Sequence, residues 1–224
     1  MKLSKKKYAK EVQLLCDKLF KESELVRLAT NRTLGREHVA CYLKNLEVLF
    51  ASNIATINEA RFHHAGTAFA KVFEEKWHEE KGHDEWARKD LKSFSESVSI
   101  VPELKEFTDF LHKSMVHTPK NYIFYFYYAE FLTSYLGPKW MNLMNHSLGI
   151  KPSEVTALSK HVELDVGHAE EMLDVLFTFD WTSQELENLT SYTSSLHEYY
   201  SKLFNAISRA GNDKGTVKQF SSAS

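Results

Sequence analysis

Residues 161–171 read HVELDVGHAEE, and the reading of the whole chain turns on whether His161, Asp165 and His168 point at one object. On an α-helix each residue turns about 100°. Asp165 then lies roughly 40° from His161, and His168 roughly 20° on its other side, so the three project within an arc of about 60°, two turns deep. Glu163, Glu170 and Glu171 point elsewhere. Two imidazoles and a carboxylate on one stripe are a ligand set for a divalent transition metal. The competing reading is a polar helix face in water, and this stretch alone is compatible with both.

Two other segments bear on the choice. Residues 74–90 read EEKWHEEKGHDEWARKD. Glu80 and His83 are three apart and would share a helix face. A carboxylate-x-x-His pair of this kind, repeated in Asp165-x-x-His168, is the unit from which helical bundles build dinuclear iron centres. Gly82 costs a helix interior about 1 kcal/mol relative to alanine, and points to close packing or local unwinding beside a site. Residues 121–131 read NYIFYFYYAEF. The helical neighbours of Glu130 are Tyr127, Phe126 and Ile123, so an ionised carboxylate there is costly unless paired or metal-bound. The aromatic residues themselves read as core, with some lining an apolar substrate pocket. The expected metal set is Glu80, His83, Glu130, His161, Asp165 and His168, with Glu79 the alternative to Glu80.

Composition sets the frame. The 224 residues are 43% hydrophobic, and the 8 glycines and 4 prolines are few. That favours long helices with few tight turns. A net charge of −2 without a basic stripe argues against nucleic acid as a partner. There is no apolar run of about 18 residues, so no membrane span is expected. The start, MKLSKKKYAK, lacks the apolar region of a signal peptide. Cys16 and Cys41 form no framework, which fits a reducing cytoplasm.

The spacing predicts helices over 4–29, 35–62, 66–93, 102–116, 119–136, 138–147, 153–178 and 183–209. Gly137-Pro138 reads as a helix stop, and Thr182 with Glu185 as a capping box. No internal repeat or linker divides the chain. The expectation is one all-α domain of seven or eight helices over 1–210, followed by a small, polar, disordered tail over 211–224.

In the order of these residues the chain resembles the haem-oxygenase-like diiron oxidases and oxygenases, which share their fold with thiaminase II and PQQ-biosynthesis protein C. The family pattern is a Glu and a His, then a Glu on a later helix, then His-x-x-x-Asp-x-x-His. His161, Asp165 and His168 match the last part without a mismatch, Glu130 matches the middle Glu, and Glu80 and His83 match the first pair. Many members separate that pair by more residues. The resemblance covers roughly residues 10–205. It implies a single-domain, seven- to eight-helix haem-oxygenase-like bundle holding two iron ions, Fe(II) at the start. Dioxygen would be the co-substrate, reduced to a peroxo species that oxidises a small amino-acid-like or fatty-acid-like molecule by C–C cleavage or N-oxygenation. An external electron donor and a homodimer are both compatible with it. A carboxylate substrate would want a cation near the site. Lys76, one turn from Glu80, is the candidate, against the plainer reading of a surface lysine.

Three rivals remain open at this point. A ferritin-like diiron bundle would use Glu47 and leave His161 idle. A metal-free relative on the same fold would need a proximal histidine near the start, or a nucleophilic cysteine in the middle helices. A helical binding protein would bear its histidines and acids on the surface.

Overall fold

The computed structural model describes residues 5–94 and 98–221, with side chains described as far as 212. Among them the chain forms nine α-helices and one 3-10 turn, with no strand. They are α1 (Lys5–Glu22), α2 (Glu24–Thr30), α3 (Arg36–His63), α4 (Ala70–Glu80), α5 (His83–Leu91), α6 (Pro102–His117), α7 (Pro119–Leu148), α8 (Thr156–Thr178) and α9 (Ser183–Ser221); the 3-10 turn is Pro152–Glu154. None is long and apolar enough to cross a membrane.

α7 is the central helix, in contact with α1, α2, α6, α8 and α9. Every residue from Asn121 to Tyr128 is buried, as expected of a helix apolar on all sides. α3 packs on α4, α5, α6 and α9. The site described below lies where α4, α5 and α8 meet α3 and α7.

Several helix boundaries differ from the sequence expectation, each for a physical reason. Segment 66–93 is not one helix. It breaks at Lys81-Gly82, where Gly82 takes φ +93°, a backbone conformation cheap only for glycine. Segment 4–29 is likewise two helices, parted at Ser23. Gly137-Pro138 does not stop a helix; α7 runs through it to Leu148. An interior proline costs ~3 kcal/mol or more, and burial of Trp140 and Met144 beyond it holds the helix on course. Gly137 serves a close approach instead: a Cβ there would lie 2.3 Å from Val162 Cγ2 on α8.

At the other end, α9 continues past residue 210 to Ser221, through most of the stretch expected as a disordered tail; residues 222–224 lie outside the described residues. His38 holds the start of this extension. Its Nδ1 accepts from the Gly35 amide at 3.0 Å, so Nε2 carries the proton and donates to Asn212 Oδ1 at 3.0 Å. The capping box at the head of α9 is present: Thr182 N donates to Glu185 Oε2 at 2.8 Å, and Glu185 N to Thr182 Oγ1 at 3.2 Å.

Candidate metal centre

Seven donor side chains from four helices converge in the interior. Glu79 and Glu80 end α4, His83 begins α5, Glu130 sits in mid-α7, and His161, Asp165 and His168 share one face of α8. The stripe read from HVELDVGHAEE points inward at His161 and Asp165, 6% and 4% exposed, and is half-buried at His168.

The donors sort into two triads. One donor atom each from Glu80, His83 and His161 lie within 4.8 Å of one another, and so do donors from Glu79, Glu130 and His168. Five of the six expected ligands fall in these triads, and the sixth donor is Glu79. Adjacent glutamates on a continuous helix would diverge by about 100°. Here α4 ends at Glu80, and the left-handed turn at Gly82 swings α5 back. Glu80 and His83 thus meet across a helix break, not along a shared face, and His83 Nδ1 is 2.9 Å from Glu80 Oε2.

Asp165 belongs to neither triad. Its Oδ1 is 3.7 Å from His168 Nδ1, too long for a hydrogen bond. Its charge raises the Glu130 carboxyl, and the charges of Glu80 and His161 act on it in turn.

The chemistry of this donor set fits a pair of metal ions. Glu130 Oε2, His161 Nε2 and His168 Nδ1 are buried and have no hydrogen-bond partner. Other buried atoms, such as the Tyr122 and Tyr128 hydroxyls, share that state, but these three are on metal-ligand residue types within the two triads, where a metal ion would satisfy them. His161 Nδ1 donates to the Ala157 carbonyl at 2.6 Å, which leaves Nε2 as a lone pair. Phe50 stacks on the His161 ring at 4.6 Å, and Trp86 on the His83 ring at 4.2 Å. Both imidazoles are thereby fixed in plane. Neither aromatic was marked by the sequence pattern.

Electrostatics at the site follow from burial. Burial pushes the Glu130 carboxyl up to about 8, although Lys76 beside it pulls the other way. Burial also raises Asp165, and Asp165 in turn raises His168. Glu80 is held below its ordinary value: burial pushes it up, but His83, His161 and Lys76 together outweigh that.

Lys76 corrects both of its sequence readings. It is 1% exposed, so it is no surface lysine. Its Nζ donates to Glu79 Oε2 at 2.6 Å and to Glu130 Oε1 at 2.5 Å, so it is committed to the second triad and is not free to anchor a substrate carboxylate.

A cavity of about 150 Å³ adjoins the site, and Glu80, Glu130, His161 and Asp165 are part of its wall. The rest is mostly apolar, with Phe20, Leu49, Phe126, Leu132 and Leu203 contributed by α1, α3, α7 and α9. Among the described residues no lysine or arginine lines it.

Glu47, the ligand a ferritin-like centre would need, is taken up elsewhere. Its two oxygens accept from Lys44 Nζ at 2.7 Å and Arg88 Nε at 2.9 Å. Cys16 is fully buried in α1, and burial pushes its thiol up to about 12, which leaves little nucleophilic thiolate.

No protein-family model matches the chain, and no curated protein does. Solved structures do. A domain of unknown function with a heme oxygenase-like fold from Shewanella denitrificans superposes with TM-score 0.82 at 17% identity, covering 99% of this chain and 97% of that one. A TenA homolog from Pseudomonas syringae pv. tomato gives TM-score 0.66 at 12% identity over 88% and 91% of the two chains. At such identities the likeness shows architecture alone: the chain has an all-α, haem-oxygenase-like fold.

Proposed function

We propose that the protein is a non-haem diiron oxidase or oxygenase that uses dioxygen to oxidise a small substrate. The observation that carries this reading is the pair of three-donor groups, Glu80, His83, His161 and Glu79, Glu130, His168, each with its donors within 4.8 Å of one another. Each mixes carboxylate and imidazole, the donor types suited to iron with open positions. Bound there, two Fe(II) ions would supply the electrons and the coordination positions for reducing dioxygen.

The chain's own residues do the rest. Ala157 holds His161 in the tautomer that leaves Nε2 free, the role of the outer hydrogen bond in metal-bound histidines generally. Phe50 and Trp86 restrict ring rotation and keep water from the imidazole faces. Asp165, buried on the same α8 face as His161, would add a further carboxylate to the ligands of such a centre. The adjoining cavity would orient the substrate. Its apolar lining favours a molecule with an aliphatic or aromatic body, amino-acid-like or fatty-acid-like, undergoing C–C cleavage or, where it carries an amine, N-oxygenation. Repeated turnover would draw on an external electron donor.

The test is iron binding followed by oxygen uptake. Equilibrium dialysis against excess Fe(II) under anaerobic conditions should leave two irons per chain, and admitting air should give stoichiometric oxygen consumption. His161→Ala should lose at least one of the irons and the oxygen consumption. A wild-type protein that binds no iron and consumes no oxygen would end this reading.

A further inference from the structure

Lys76 is the one lysine or arginine buried among the described residues. Its ammonium is buried to 1% exposure and bonds to two of the three donors of the second triad, at 2.6 Å and 2.5 Å. The first triad has no such occupant. A buried ammonium is tolerated only where carboxylates compensate it, and here the compensating carboxylates are the ones a second metal ion would need.

We infer that Lys76 is a built-in cation of the second half-site, so that the chain binds one divalent ion tightly through Glu80, His83 and His161 and a second only in competition with the Lys76 ammonium. This rests on the metal-centre reading above and adds to it an order of loading and an inequivalence of the two positions.

Charge counting supports the order. The first triad offers one carboxylate and two imidazoles to an incoming dication. The second offers two carboxylates and one imidazole, which by charge alone would bind more strongly. With Lys76 in place that advantage is cancelled: one positive charge already lies between Glu79 and Glu130. A second ion must break both hydrogen bonds to Lys76 and move its ammonium away from the carboxylates. The first ion breaks only the bond between His83 and Glu80. Position adds to this. Lys76 is on α4, one turn before Glu79 and Glu80, so a shift of its side chain is felt at both triads through the same helix end.

A plain structural ion pair joining α4 to α7 is the alternative. It predicts that removing the charge weakens the fold and gives no gain in metal. The two differ in a measurement that does not depend on enzymatic activity. Mn(II) is a suitable probe because it needs no anaerobic handling and its electron paramagnetic resonance separates isolated from exchange-coupled ions. In the wild type, the first equivalent of Mn(II) should give an isolated six-line signal. The second should bind at least about tenfold more weakly, with the coupled signal appearing only then. Lys76→Met should bring the second affinity up by about tenfold or more and make the coupled signal appear from the first equivalent. Lys76→Arg, which keeps the charge, should behave as the wild type.

Two equally tight ions in the wild type, or a Lys76→Met protein that folds and still binds a single ion, would overturn the inference while leaving a metal centre standing. No Mn(II) bound by wild type or variant would remove the metal centre and the inference together. Should Lys76→Met fail to fold, the wild-type titration decides alone, through the order in which the isolated and coupled signals appear.

Discussion

The His161 ring donates from Nδ1 to the Ala157 carbonyl one helical turn earlier, at 2.6 Å, and this single bond turns its unpartnered Nε2 toward the donors of α4 and α5. Glu47 is the contrast: both its oxygens are already engaged, by Lys44 and Arg88. The two residues therefore separate two kinds of iron centre. His161→Ala should lose at least one of the bound irons. Glu47→Ala should keep full iron content and change only stability, by about 1 kcal/mol or less for so exposed a partner as Arg88. Iron per chain in the two purified variants checks this. A Glu47→Ala protein that loses iron while His161→Ala retains it would favour the ferritin-like arrangement.

Asp165 gives a second prediction. It is 4% exposed, and its nearest cation-forming group, His168, is 3.7 Å away. A buried acid so weakly compensated opposes the packing of α8. Metal should relieve that opposition, and a ligand at about 100 times its dissociation constant suppresses opening roughly 100-fold. Limited proteolysis over residues 155–175 should accordingly be much slower with Fe(II) or Mn(II) than with a chelator. Equal cleavage rates would mean that α8 does not depend on the ions.

What could be read in the sequence depended on whether the information lay within one helix. The three α8 residues repeat at helical spacing, so their common face follows from periodicity alone, and the structure turns that face inward. Glu130 was legible for a different reason: no carboxylate sits among Ile123, Phe126 and Tyr127 without a purpose. The first pair was reached by an argument that does not hold. Glu80 and His83 lie on two helices, and the turn at Gly82 brings them together. Glu79, named from the sequence only as the alternative to Glu80, stands beside it in the second triad. Lys76 was misread because nothing near it in sequence reveals that α7 will set Glu130 against it. Helix ends were less legible still. Pro138 is a stop signal by local chemistry, overridden by the burial of Trp140 and Met144 on the same helix.

Cys16 offers a test of the burial of α1 and of cysteine chemistry together. Its thiol is fully buried and pushed up to about 12. Alkylation needs thiolate, and at about pH 8 a thiol so displaced is ionised to roughly one part in 10,000. In the native protein Cys16 should stay unmodified by iodoacetamide over hours, and react fully once urea unfolds the chain. Peptide mass spectrometry reads the result. Rapid native labelling of Cys16 would reopen a cysteine-based, metal-free mechanism.

The acid–base behaviour of the metal-free protein follows from Glu130. Its folded value, about 8, exceeds the ordinary 4.5, mainly through burial. A group whose folded value is raised contributes stability that is complete below the unfolded value and is lost as pH rises through the folded one. Glu130 therefore favours the fold below about pH 4.5 and withdraws that support between about 4.5 and 8. Asp165 and His168 are also raised and act in the same direction; His197, lowered by burial, acts against them. Stability of the metal-free protein should fall as pH rises from about 4.5 to 8, the opposing pull of Lys76 being already contained in that upper value. Glu130→Gln, which cannot ionise, should flatten that slope whatever it does to absolute stability. Urea melts in the presence of a chelator at several pH values measure both proteins. If the two slopes coincide, the proton on Glu130 is not what couples folding to pH, and the carboxylate beside Lys76 is ionised throughout.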